Sequence, residues 1–229
     1  VSAGLPAETQ KSAVISACGL YRYALRRVWD AALPELGFVL LNPSDADAEI
    51  DDPTLRRMMG FGVALGYGGV RVGNLYAYRT PKPSVLRKAA RAGADIVGPE
   101  NDRYLLDELA GVDLVIGGWG RNGRADRVRV VRELVTQRLA KALHYLRLLE
   151  DGTPEHPLYL PGALRPMVWA PAGPPVVPDD TPVVVPADRL PGPVVPPLAL
   201  PAPAPVLVPV APPVPAPAQV AARPDPFDF

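Results

Sequence analysis

The chain has 229 residues, a formal net charge of zero and a hydrophobic fraction of 48%; that is enough for one well-filled core plus an appendage, with too even a charge balance to demand a polyanionic partner. A single cysteine, Cys18, excludes an internal disulfide and a cysteine-based metal cluster, and two histidines put the usual zinc sites out of reach. No apolar run approaches the ~20 residues that cross a bilayer, and the first residues show no signal-peptide pattern, so a cytoplasmic chain without membrane contact is expected.

Proline divides the chain: of 31 prolines, 20 follow Ala170. Residues 1–12 read as a flexible start, 13–169 as the folded body, and 170–229 as a disordered, polyproline-II-like tail, because proline fixes φ and removes donors. The body holds 22 Lys+Arg against 19 Asp+Glu and the tail 2 against 5, which permits a nucleic-acid partner. The basic residues are nearly all arginine, suited to planar recognition of phosphate, although a GC-rich genome produces the same bias.

In chain order, Ala13 to Trp29 reads as two short strands around a Cys18-Gly19 turn, with Tyr23 and Trp29 covering one edge of the core. Gly37 to Leu41 is an apolar run that stops at Asn42-Pro43-Ser44-Asp45, a buried strand opening into a loop. The carboxyl end of a strand in an open α/β sheet is where ligands sit. A strand-to-helix turn with a cap accounts for the same residues equally well. Asp51-Asp52-Pro53-Thr54 then opens a helix that runs to Gly66, with an aspartate cap followed by proline. Val70 to Arg79 reads as the next strand, with Asn74 near its end, and Ser84 to Arg91 as a short helix. Pro99 to Asp102 starts a helix through Leu109, and Val112 to Gly120 is the strongest strand signal, ending in a glycine-rich turn. Arg121 to Arg138 reads as a helix with Val128, Val131, Leu134 and Val135 inward and Arg124, Arg127, Arg129 and Arg132 as a solvated surface or a phosphate-tracking ridge. Residues 142–149 fit a continued helix or a fourth strand, and the Asp151-Gly152 and Pro154 breaks favour the strand. Strands alternating with helices predict a three-layer α/β/α sandwich on a mainly parallel, four-stranded central sheet.

Several motifs then carry a resemblance. Tyr21-Arg22-Tyr23, Leu41-Asn42-Pro43-Ser44-x-Ala46-Asp47, Asp51-Asp52-Pro53-Thr54-x-Arg56-Arg57, Gly66-Tyr67-Gly68-Gly69, Asn74-Leu75-Tyr76-Ala77-x-Arg79, Gly98-Pro99-Glu100-Asn101-Asp102, Trp119-Gly120 and His156-Pro157-Leu158-Tyr159-Leu160 together resemble the bacterial and phage family catalogued as domain of unknown function 1643. More distantly, the order of loops is similar to the uracil-DNA glycosylase superfamily: a polar loop after the first strand (Asn42 to Asp47), an Asn ending the second (Asn74), an apolar strand ending at Trp119-Gly120, and His156-Pro157 after the last. Leu158 stands where those enzymes commonly carry serine after His-Pro.

That likeness implies chemistry at a nucleobase. Asp47 or Asp52 would orient water and stabilise the cationic sugar, and His156 would hydrogen-bond the departing base as it gains charge. Asn74 would read a base edge with its donor and acceptor, Tyr76 or Trp119 would stack, and Asn42, Ser44 and Arg79 complete the expected binding set. No metal or other cofactor is required. The expected partners are DNA, RNA or a nucleotide for the body, and an aromatic-grooved protein for the tail. Three functions follow: a glycosylase-like hydrolase, a non-catalytic nucleic-acid or nucleotide binder, and an interaction protein working through its proline arm.

Overall fold

The computed structural model describes residues 8–44 and 49–170. They form a mixed α/β body on a sheet of seven strands, in the order β1 (Gln10–Ile15), β2 (Arg22–Val28), β4 (Gly69–Asn74), β3 (Glu35–Leu40), β5 (Leu114–Gly117), β6 (Leu143–Tyr145) and β7 (Met167–Val168). The sheet therefore has seven strands and not the expected four. Strands β4, β3, β5 and β6 run parallel, while β1, β2 and β7 add antiparallel edges. The reading of residues 1–12 as a loose start is corrected at its end, since Gln10, Lys11 and Ser12 pair with Val28, Arg27 and Arg26. What hid this strand is exposure on both faces, which leaves no apolar alternation.

Alternation along the central strands divides two cores. Leu36, Phe38 and Leu40 of β3, Val70 and Val72 of β4 and Ile116 of β5 face Leu55, Met58, Met59 and Phe61 of helix α1 (Pro53–Ala64). Val39, Leu41 and Val115 face the opposite way, toward Leu86 of α2 (Pro83–Arg91), Leu105 and Leu109 of α3 (Asn101–Ala110), and Val131 of α4 (Ala125–Glu133). Burying side chains of this size contributes about 1.5–3 kcal/mol apiece. Gly73 lets α3 lie directly on β4, because a Cβ there would collide with the Leu105 side chain.

Helix α1 starts as its sequence dictates: Asp52 is the cap, its Oδ1 accepting the Leu55 N–H at 2.7 Å, with Pro53 in the first turn. The helix expected over 121–138 is broken into a 3-10 turn (Gly120–Asn122), α4, and a π turn (Leu134–Arg138). Arg127 departs from the solvated surface expected for the α4 arginines; it is buried. Residues 142–149 hold strand β6. Among the described residues no helix is long and apolar enough to cross a membrane. The proline-rich segment after Ala170, for which a docking role is expected, lies outside the described residues.

Candidate functional site

The connection leaving β3 leads to β4 on one side, and the one leaving β5 leads to β6 on the other. Adjacent parallel strands whose connections diverge in this way leave a crevice at their carboxyl ends. A cavity of about 410 Å³ lies there, within the ~300–1,000 Å³ typical of small-ligand sites. Its floor is apolar, formed by Leu25, Leu40, Leu55, Met58 and Val72, and its walls carry Asn42, Ser44, Asp52, Asn74, Trp119 and His156.

Each wall residue is set by its own local structure. Beyond β3, the Asn42 side-chain amide donates to Pro43 O at 3.0 Å and Thr80 O at 2.7 Å, which locks this loop to the one after β4. Ser44 Oγ donates to Asp52 Oδ2. With Oδ1 on the helix cap, the Asp52 carboxylate is fixed at both oxygens.

Leu75 and Tyr76 N–H groups donate to Leu40 O (2.8 Å) and Leu41 O (3.0 Å), prolonging the parallel ladder past Asn74. From the α3–α4 side the Asn101 amide donates to Asn74 O (3.1 Å) and Leu75 O (3.2 Å), and Arg127 Nε donates to Leu75 O at 2.6 Å. Asn74 is 1% exposed, and its Oδ1 is buried with no hydrogen-bond partner among the described residues. An unsatisfied buried acceptor costs about 1–3 kcal/mol.

After β5 the chain turns sharply. A Cβ on Gly117 would lie 2.5 Å from the Trp119 ring and one on Gly118 2.9 Å from Pro157. Trp119 is thereby folded back onto the core, edge-on to Trp169 with ring centres 5.2 Å apart. His156 caps the 3-10 turn Pro157–Tyr159, its Nδ1 accepting the Leu158 N–H at 3.4 Å. An acceptor Nδ1 leaves the proton on Nε2. Burial pushes the imidazole pKa below its ordinary value, opposed in part by the Asp52 charge. Near neutral pH the ring is therefore an uncharged donor.

Two of the residues anticipated for this site stand apart from it, and a third falls outside the described residues. Tyr76 packs in the opposite core, its phenol oxygen accepting the Arg124 N–H at 3.2 Å, so it offers no stacking face to the cavity. Arg79 reaches away to Gly19 O at 3.1 Å. Asp47 lies outside the described residues. Conversely, Arg22, Thr54, Thr80, Asn122 and Tyr159 line the cavity without having been anticipated. Arg22 carried a readable signal, a charge within the aromatic pair Tyr21 and Tyr23 at a strand start, and it is 4% exposed.

The fold and the cavity together define an α/β protein with a polar chamber at the switch point of its parallel strands. The chain belongs to the family described as Protein of unknown function (DUF1643), whose model matches residues 22–158. No curated protein and no solved structure matches the chain.

Proposed function

We propose that the chamber binds a flat heterocycle, most concretely a nucleobase in a nucleotide or nucleic acid, and hydrolyses its N-glycosidic bond in the manner of a uracil-DNA glycosylase-like enzyme. The observation that carries this reading is the unpartnered Oδ1 of Asn74 in a wall shared with Asp52 and His156. An unpartnered acceptor in a cavity wall suits a ligand that supplies a donor, as a base edge does in one plane; the likewise unpartnered Asn101 Oδ1 lies outside the cavity.

As the glycosidic bond stretches, positive charge grows on the sugar and negative charge on the base. The Asp52 carboxylate, held by Ser44 and the Leu55 N–H, stabilises the cation and orients water. The His156 Nε2–H donates to the base oxygen as it gains charge. Trp119 borders the chamber.

Release of free base from a panel of nucleosides and of oligonucleotides carrying modified bases, read by chromatography, tests the reading. Activity lost in Asp52→Asn and His156→Ala supports it, and no release by folded protein overturns the hydrolase. A second reading, a non-catalytic binder, is favoured by the double engagement of Asp52 in structural hydrogen bonds. It expects base binding that survives both substitutions but not Asn74→Ala.

A further inference from the structure

The 3-10 turn Gly120–Asn122 is a partition. Asn122 lines the chamber on one side and, on the other, a second recess of about 450 Å³ between this turn and helix α2. Arg87, Arg91, Arg121 and Arg124 line that second recess, and no carboxylate does. Arg124 is committed to Asp126, at 3.0 and 3.2 Å. Arg87 donates to the neutral Asn122 Oδ1 at 2.7 Å, which ties the recess to the rim of the chamber. Among the described residues Arg87, Arg91 and Arg121 have no acidic side chain within ion-pair distance, although Arg121 is near enough to Asp151 to help its Thr153 hydrogen bonds lower the carboxyl pKa; Arg103, Arg129 and Arg147 on other exposed surfaces are directly paired.

Arg87 and Arg91 stand one turn apart on α2, where like charges repel. Repulsion of this kind is relieved by an anion placed between the guanidinium forks, and the planar fork matches phosphate oxygens two at a time.

We propose that this recess is a phosphate site, one turn of backbone away from the chamber, that holds the phosphate of the ligand whose base enters the chamber. The proposal rests on the nucleobase reading for the occupant of the chamber, and on the arginines alone for the phosphate. Phosphomonoester and phosphodiester share the chemistry; the source is a free nucleotide or a single strand of nucleic acid.

The test uses the full chain and fluorescence anisotropy with a labelled single-stranded deoxyoligonucleotide, an oligomer of equal length built from base-free tetrahydrofuran phosphodiesters, and a nucleoside monophosphate as competitor, each across a salt series. The double variant Arg91→Ala/Arg121→Ala is expected to weaken oligonucleotide binding about tenfold and to flatten the log–log salt slope by roughly 1.4, the loss of two phosphate contacts on a single strand. Arg103→Ala on α3 is expected to leave both unchanged. Competition by the monophosphate at concentrations similar to the oligomer, lost in the double variant, supports the site with a free nucleotide as its source. Equal binding of the base-free oligomer, weakened by the same double variant, supports the phosphate site and removes the nucleobase reading. Wild-type affinity and salt slope in the double variant, with binding still lost in Asn74→Ala, overturn the phosphate site and leave the chamber reading standing.

Discussion

The same strand ends are finished in opposite ways on the two faces of the sheet. On the α3–α4 face Asn101 and Arg127 fasten the carbonyls of Asn74 and Leu75, and the Arg127 guanidinium pairs with Asp102 at 2.5 Å. On the α1 face the Asn74 Oδ1 has no hydrogen-bond partner among the described residues and borders the cavity, whereas the Asn101 Oδ1, likewise unpartnered, lies outside it. Polar side chains thus fasten strand-end carbonyls on one side and border a cavity on the other. The difference predicts two kinds of buried polar group: those whose removal costs stability, and those whose removal leaves it nearly unchanged.

The sharpest way to break the contrast is on the fastened face. Arg127→Met removes the bond to Leu75 O and is expected to destabilise the body by about 3 kcal/mol, read by chemical denaturation. A loss below 1 kcal/mol would show that Asn101 alone suffices. Gly73→Ala drives a methyl into Leu105 and is expected to cost about 2 kcal/mol by the same measurement, with β4 pushed away from α3.

The open face responds to pH. Its half-buried His156 stays neutral in the folded chain at pH values where the unfolded chain's imidazole, near 6.5, takes up a proton. The unfolded state then binds more protons, so stability falls as pH drops below that value. A scan of Tm against pH is expected to show this decline, and His156→Gln to remove it. Glu35, held below its ordinary carboxylate pKa of 4.5 by Arg71 and Arg26 although burial opposes them, acts in a lower window. Its contribution is present above 4.5 and fades beneath.

Asn74→Leu sharpens the comparison from the other side: stability is expected to change by no more than about 1 kcal/mol in either direction, while nucleobase binding measured by calorimetry disappears. Least affected of all is Arg129→Ala, which breaks an exposed pair with Glu133 one turn along α4 and is expected to stay within about 0.5 kcal/mol of the parent.

Those parts of the fold with strong local signals were legible before any coordinates. The apolar runs ending at Leu41 and Gly117 gave β3 and β5, and Asp52-Pro53 gave the start of α1, because burial on both faces and a cap leave marks in one stretch of chain. The edges left none. β1 is exposed on both faces over Gln10–Ser12, and β7 is two residues whose pairing depends on β6. For the chamber, Asn42, Ser44, Asp52, Asn74, Trp119 and His156 were readable because each sits just beyond a strand or at a helix cap. Tyr76 and Arg79 were misread for the reason that made Asn74 readable: past a strand end the chain loses its regular alternation, and the direction of a side chain is set by contacts remote in sequence. Arg127 was misassigned because its partners, Leu75 O and Asp102, lie on other elements.

The crowding around Gly117 and Gly118 bears on how such a chamber can change over evolution. Any side chain at either position would strike Trp119 or Pro157, so the rear wall tolerates no gradual enlargement or shrinkage there. Variation has to enter through the mouth, where Thr54, Asn122 and Tyr159 can be exchanged without moving a strand, whereas Thr80 is buried and its carbonyl holds Asn42. A small combinatorial library at those three positions is therefore expected to explore much of what the chamber can accept.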